Sequence, residues 1–198
     1  MPLIGPVLGS LINTQFAAQG FTGVKQFQLA TALGNGIIFH IQFVNFYQGT
    51  AIGVGTGAGV GTGFINPGTV AAPLVTSQII LGLTAQGYTG VKMPQLAAAI
   101  GNAFSAHIIT GIVQTTTTPV AVGSGFGKIL GVTGPGCGAQ IFSMMAAQGF
   151  TGTKMLQLAQ GVGLGIANIM NAAVVQTVIA GGGFPPTPAS SPEFGKLI

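Results

Sequence analysis

The chain has almost no charge. Its 198 residues include five lysines, no arginine, no aspartate and one glutamate, Glu193, so charged residues make up 3%, against about a quarter in an average globular protein. That scarcity excludes most carboxylate chemistry. General acid–base pairs and hard-cation sites are built from Asp and Glu, and one glutamate in a Pro/Ser-rich tail cannot supply a pair. The formal charge of +4 reflects the missing acids. Five scattered lysines do not make the clustered footprint that phosphate backbones need, which disfavours nucleic acid as a partner. The single cysteine, Cys137, cannot form an intrachain disulfide. A thiol in GPGCGAQ with no neighbouring base reads as a small buried residue.

A soluble monomer keeps itself dispersed with a charged skin. Gln, Asn, Thr, Ser and Gly are nearly all this chain can offer instead, which implies a surface covered largely by other chains or by lipid. The opening MPLIGPVLGSLINTQF has no Lys or Arg before its apolar stretch and carries Pro2 and Pro6, a poor match to a secretory signal.

What the chain does have is repetition. AAQGFTGVKQFQLATALGNG starts at Ala17, TAQGYTGVKMPQLAAAIGNA at Thr84 and AAQGFTGTKMLQLAQGVGLG at Ala146. The period divides the chain into units 1–68, 69–134 and 135–198, the last with a Pro/Ser-rich C-terminal arm. In each unit an apolar segment leads to Gly20, Gly87 or Gly149, where a glycine suits the left-handed close of a helix. Thr22, Thr89 and Thr151 follow as candidate caps of the next helix. The second segments carry apolar stripes at steps of three and four: Leu29, Leu33, Ile37, His40, Val44 and Tyr47; Leu96, Ile100, Phe104 and His107; Leu158, Val162, Ile166 and Ile169. Beside each stripe lies a small pair four apart, Ala30 and Gly34, Ala97 and Gly101, Ala159 and Gly163. Such pairs let helix backbones come close. The expected fold is mainly α: three tandem pseudo-equivalent helical hairpins joined by Gly/Pro-rich extended connectors whose alternation suits short β-strands. Those connectors suit arms that add a strand to a neighbouring subunit.

No catalytic, cofactor or metal motif survives inspection. His40 and His107 are equivalent in two units, but Ile169 takes the slot in the third, and a metal site needs about three or four donors. Gly53 to Ala58 fits a dinucleotide loop only by spacing, with no following helix and no acid at the ribose position. GSGFGKIL, which includes Lys128, lacks the first glycine and the Ser/Thr of a phosphate loop. We therefore expect no enzyme, no cofactor and no small-molecule substrate. The informative polar residues are Lys25, Lys92 and Lys154, each expected in the first turn of its helix. A cation there opposes the helix dipole at a cost of roughly 0.3–1 kcal/mol. They are candidate docking points for acidic neighbouring proteins.

The best candidate for a membrane span, LATALGNGIIFHIQFVNFY, contains two Asn, one His and one Gln and lacks flanking Lys/Arg clusters. Assembly accounts for more of the features: faces buried without desolvating ions, close-packing helices, and three nearly equivalent contact sets per chain. Two copies would present six similar units and four would present twelve. The AQGFTGxK–QLAxAIGNG segments and the VGSGFGKILG-type connector resemble minor structural proteins of large contractile-tailed bacteriophages. That resemblance implies a non-enzymatic virion component of capsid, neck, tail or baseplate, homo-oligomeric and contacting other subunits. The alternative is a membrane-embedded pore or holin-like protein.

Overall fold

The computed structural model describes residues 4–41, 47–53, 59–117, 124–179 and 189–198. Each repeat is two helices followed by two strands. The first contains α1 (Gly5–Ala18), α2 (Gln26–Ile41), β1 (Tyr47–Gly53) and β2 (Gly59–Ile65). The second contains α3 (Ala72–Ala85), α4 (Lys92–Ile108), β3 (Ile112–Thr117) and β4 (Ser124–Leu130). The third contains α5 (Gly134–Ala147), α6 (Lys154–Ala172), β5 (Val174–Ile179) and β6 (Ala189–Leu197).

This is a mixed α/β fold, which corrects the expectation of a mainly α chain of three tandem hairpins with extended connectors. The connectors do not trail. Their strands pair antiparallel in the order β1-β2-β3-β4-β5-β6, and β6 returns to β1 to close a barrel. Closure leaves no strand edge open, so every strand already has two neighbours from its own chain. The helices are not separate hairpins either. Each second helix packs on its own partner and on the first helix of the next repeat, and α6 returns to α1, so the six helices form a closed ring. Units 1–68, 69–134 and 135–198 share one ring, one barrel and one continuous apolar cluster.

Local sequence explains the helix ends. Pro6, Pro73 and Pro135 sit in the first turn of α1, α3 and α5, where a missing N–H costs nothing. Gly20, Gly87 and Gly149 adopt φ of 70°, 76° and 75°, and the next amide (Phe21, Tyr88, Phe150) bonds back to Phe16, Leu83 and Met145. Thr22, Thr89 and Thr151 are not caps. The second helices begin at Gln26, Lys92 and Lys154, and the residues that precede α4 and α6, Val91 and Thr153, make no side-chain cap bond. The apolar stripe of the first repeat does not extend to Tyr47 as a helix. α2 is described as far as Ile41, Val44 lies outside the described residues, and Tyr47 begins β1. Periodicity cannot distinguish a helical step from the first inward position of a strand.

Small residues set the helix spacing. A Cβ at Gly34 would lie 2.6 Å from the Gly5 carbonyl oxygen and 2.7 Å from Gly9 Cα; one at Gly163 would lie 2.7 Å from the Gly134 oxygen and Gly138 Cα; one at Gly101 would meet Thr76 N at 3.0 Å. Ala30, Ala97 and Ala159 beside them are fully buried. A second set faces the next repeat: a Cβ at Gly36 would reach Ile79 Cα at 2.6 Å, and one at Gly165 would reach Ile12 Cα at 3.0 Å. α2 and α6 thus carry two glycine seams each, while in α4 the position equivalent to Gly36 and Gly165 is the fully buried Ala103.

Candidate functional site

The barrel reverses the usual polarity. Inward positions alternate along each strand, and pairing places Tyr47, Val113 and Val175 in equivalent positions of the three hairpins, with Gly49, Thr115 and Thr177 next. Opposite them, Gly61, Gly125 and Glu193 are equivalent. A barrel of eight strands is only just wide enough for side chains to fill, and six leave less room. Glycine therefore occupies many inward positions. A Cβ on Gly49 would fall on the Tyr47 hydroxyl.

Into this narrow interior the chain puts its only carboxylate. Glu193 is fully buried. Its Oε2 accepts hydrogen bonds from the hydroxyls of Thr115, at 2.7 Å, and Tyr47, at 3.2 Å, and its Oε1 accepts one from Thr177. All three repeats contribute a donor or the acceptor. Burial, reinforced by the neighbouring carboxylate, pushes the Tyr47 hydroxyl far above its ordinary value. Around it Tyr47 and Thr177 are fully buried and Thr115 nearly so. A carboxylate bonded in this way ties strands of all three repeats together.

The outer face is apolar. Val60, Phe64, Ile112, Phe126, Leu130 and Val178 are each between 44% and 67% exposed. Register aligns Phe64, Ile112 and Leu130 in one row across β2, β3 and β4, with Val60, Thr116 and Phe126 in another. Between the rows run Thr62, Gln114 and Lys128. The result is a groove of about 650 Å³ with apolar walls and a polar floor.

Lys25, Lys92 and Lys154 lie at the opposite end of the molecule, at the turns between paired helices. Their ammonium groups sit over Tyr88 at 5.4 Å, Phe150 at 5.3 Å and Phe21 at 5.9 Å. Each lysine thus meets the aromatic residue of the next repeat, and the third returns to the first. The charge that opposes the helix dipole is offset by a ring face. The signal was in the sequence, because an aromatic residue, Phe21, Tyr88 or Phe150, stands four residues before each such lysine.

His107 is buried in α4, where its Nε2 accepts the Thr133 amide at 3.3 Å. His40 lies in α2, and its side chain is outside the described residues, as is most of the Gly53 to Ala58 loop. Lys128 is on β4 and opens no helix. Cys137 is buried in α5, and burial pushes its thiol up to about 12. Among the described residues no group of three metal-ligating side chains forms.

Sequence reading missed Glu193, Tyr47, Thr115 and Thr177. One signal was present. Gly125-Phe126-Gly127-Lys128 matches Glu193-Phe194-Gly195-Lys196, so the glutamate replaces an inward glycine of the preceding repeat. Comparison with family models, with characterised proteins and with solved structures returns no match to this chain.

Proposed function

We propose that the chain is a non-enzymatic structural subunit of a large symmetric assembly, which packs against other subunits through the outer wall of its barrel. One observation carries the reading: Phe64, Ile112 and Leu130 form a continuous exposed apolar row on a chain with almost no charge. Apolar exposure in contiguous rows marks an interaction surface. The resemblance of the repeats to bacteriophage structural proteins supports a virion as the setting, as capsid, neck, tail or baseplate component. The assembly contact is face-on packing, because the strands that could serve as arms are paired at home.

A second reading, membrane insertion, draws on the same wall. Apolar outside and polar inside is the order of a transmembrane barrel. Among the described residues no helix is long and apolar enough to cross a membrane. The described parts of the strands are six to nine residues long, against about 9–11 for a spanning strand.

Light scattering after size exclusion separates the two. The structural reading predicts a discrete multimer of the 19.6 kDa chain in detergent-free buffer, reduced to monomer by Phe64→Ser with Phe126→Ser. Solubility only in detergent would favour the membrane. A wild-type monomer in plain buffer would remove both.

A further inference from the structure

We infer that the turn end of the molecule is a docking surface for an acidic homotrimer, with one chain of this protein on the trimer's axis. The setting rests on the assembly reading above, but the surface is a different one. Each repeat presents an exposed pair at the same place in its turn, Val24–Lys25, Val91–Lys92 and Thr153–Lys154, with threonine replacing valine in the third. Val24 and Val91 are 104% and 87% exposed, so these valines touch almost nothing of their own chain. The lysines beside them are exposed yet held. Each ammonium lies over a ring of the next repeat, the Tyr88 hydroxyl donates to the Lys25 carbonyl at 2.8 Å, and Lys154 Nζ donates to the Thr22 carbonyl at 2.8 Å. Held side chains lose less freedom on binding.

The partner's charge follows from the barrel. The only carboxyl side chain of the protein is buried there, so all side-chain charge that reaches the surface is positive. A second copy of this chain would bring more lysines to the contact, whereas an acidic protein would complement it. The partner's symmetry follows from the cyclic arrangement. Lys25 reaches to repeat two, Lys92 to repeat three and Lys154 back to repeat one, which sets three equivalent cations about one axis. A depression of about 470 Å³ beside them, lined by Phe21, Leu96, Met145 and Phe150 with Lys154, draws on all three repeats. A trimer engages all three knuckles at once and gains the multiplicative affinity of linked sites; a monomer engages one.

The test uses a designed trimeric coiled coil whose strands each end in a flexible Gly/Ser linker and a Glu-rich hexapeptide, with the free hexapeptide as the monomeric probe. The full-length chain is expected to bind the trimeric probe about 100-fold or more tightly than the free peptide. The triple variant Lys25→Gln, Lys92→Gln, Lys154→Gln loses that gain. Tyr88→Leu, which removes a ring but no charge, keeps at least a tenfold preference. Equal binding of the two probes overturns the proposal, as does a folded triple variant that binds the trimer like wild type. Lysine-dependent binding to phosphatidylglycerol vesicles with no binding to the trimer also overturns it, in favour of a lipid surface. In light scattering the triple variant keeps the wild-type mass, because the barrel wall is untouched; a fall to monomer would overturn the proposal by placing these lysines in self-contact. Loss of assembly in the Phe64/Phe126 variant with trimer binding retained separates this surface from the barrel wall.

Discussion

The helical ring and the barrel solve the same burial problem in opposite ways. In the ring, Leu33, Ile100 and Val162 with Ile12, Ile79 and Ile141 point inward and are fully buried. In the barrel, an apolar layer of Tyr47, Ile65, Val113, Ile129 and Val175 points inward and is followed by glycine, threonine and Glu193, while Phe64, Ile112 and Phe126 point out. The difference is one of width. Six helices with small-residue seams still enclose space for branched side chains, whereas six strands enclose little more than a line of atoms. Tyr47, Ile65, Val113, Ile129 and Val175 fill the inward positions nearest the helices; the other large apolar residues point outside, and the outside then needs a cover. The ring therefore supplies the core, and the barrel wall supplies a contact surface.

The strongest way to break this contrast is to widen the ring by force. Gly34→Leu or Gly163→Leu drives a side chain into backbone atoms that cannot yield. We expect no folded protein by circular dichroism, since the clash exceeds the ~1–3 kcal/mol of ordinary overpacking. Gly23→Ala is the control: nothing lies within 4 Å of its Cβ position, and stability should stay within about 0.5 kcal/mol.

The barrel should respond most to Glu193→Ala. That change strands three buried hydroxyls, and at about 1–2 kcal/mol each the loss is roughly 3–6 kcal/mol in urea unfolding. Glu193→Gln, which keeps an acceptor, should lose less than half as much. Amide exchange should rise first in β5, β6 and β1 and only later in the ring. Uniform exchange across both regions would show that the two halves unfold as one.

Alkali should act on both halves with the same sign. Cys137 in the ring has its thiol raised from 9.0 to about 12, and Tyr47 in the barrel is raised above 10.0. Both fold in the protonated form. Their stabilisation is therefore fully present below the unfolded values and is lost as pH rises through the folded ones. For Cys137 the loss begins above pH 9 and amounts to at most about 1.4 kcal/mol at pH 10. Cys137→Val, which copies Val75 of the second repeat, should flatten that early loss, and the native thiol should resist alkylation until urea unfolds the chain.

The smallest effect belongs to the ring of lysines. Tyr88→Leu removes one cation–π contact and one exposed hydrogen bond and should cost about 1 kcal/mol in thermal unfolding.

Parts of this architecture were legible in the sequence. The repeats locate the turns, the glycine after each first helix takes the left-handed conformation, and the spacing of Ala30 and Gly34 matches a close helix contact. Other parts were not. Thr22, Thr89 and Thr151 have the chemistry of caps, but the helix starts three residues or more beyond them, because Gly90 and Gly152 adopt φ of 118° and carry the chain on as a turn. Tyr47 fits the helical stripe by number and lies in the barrel by structure. Glu193 looked like a tail residue and accepts three hydroxyl hydrogen bonds inside the barrel.

The sequence by itself determined the repeat, the helix-pair pattern, the low charge and the small-residue seams, because these depend on residues within one repeat. Only the tertiary structure decided that the helices close into a ring, that the connectors close into a barrel, and that the one carboxylate belongs inside it. Closure joins the first repeat to the third: β1 to β6, α1 to α6 and Lys154 to Phe21. No local propensity records a contact between residues more than a hundred positions apart, which forms because three equivalent units leave their last exposed seam facing their first.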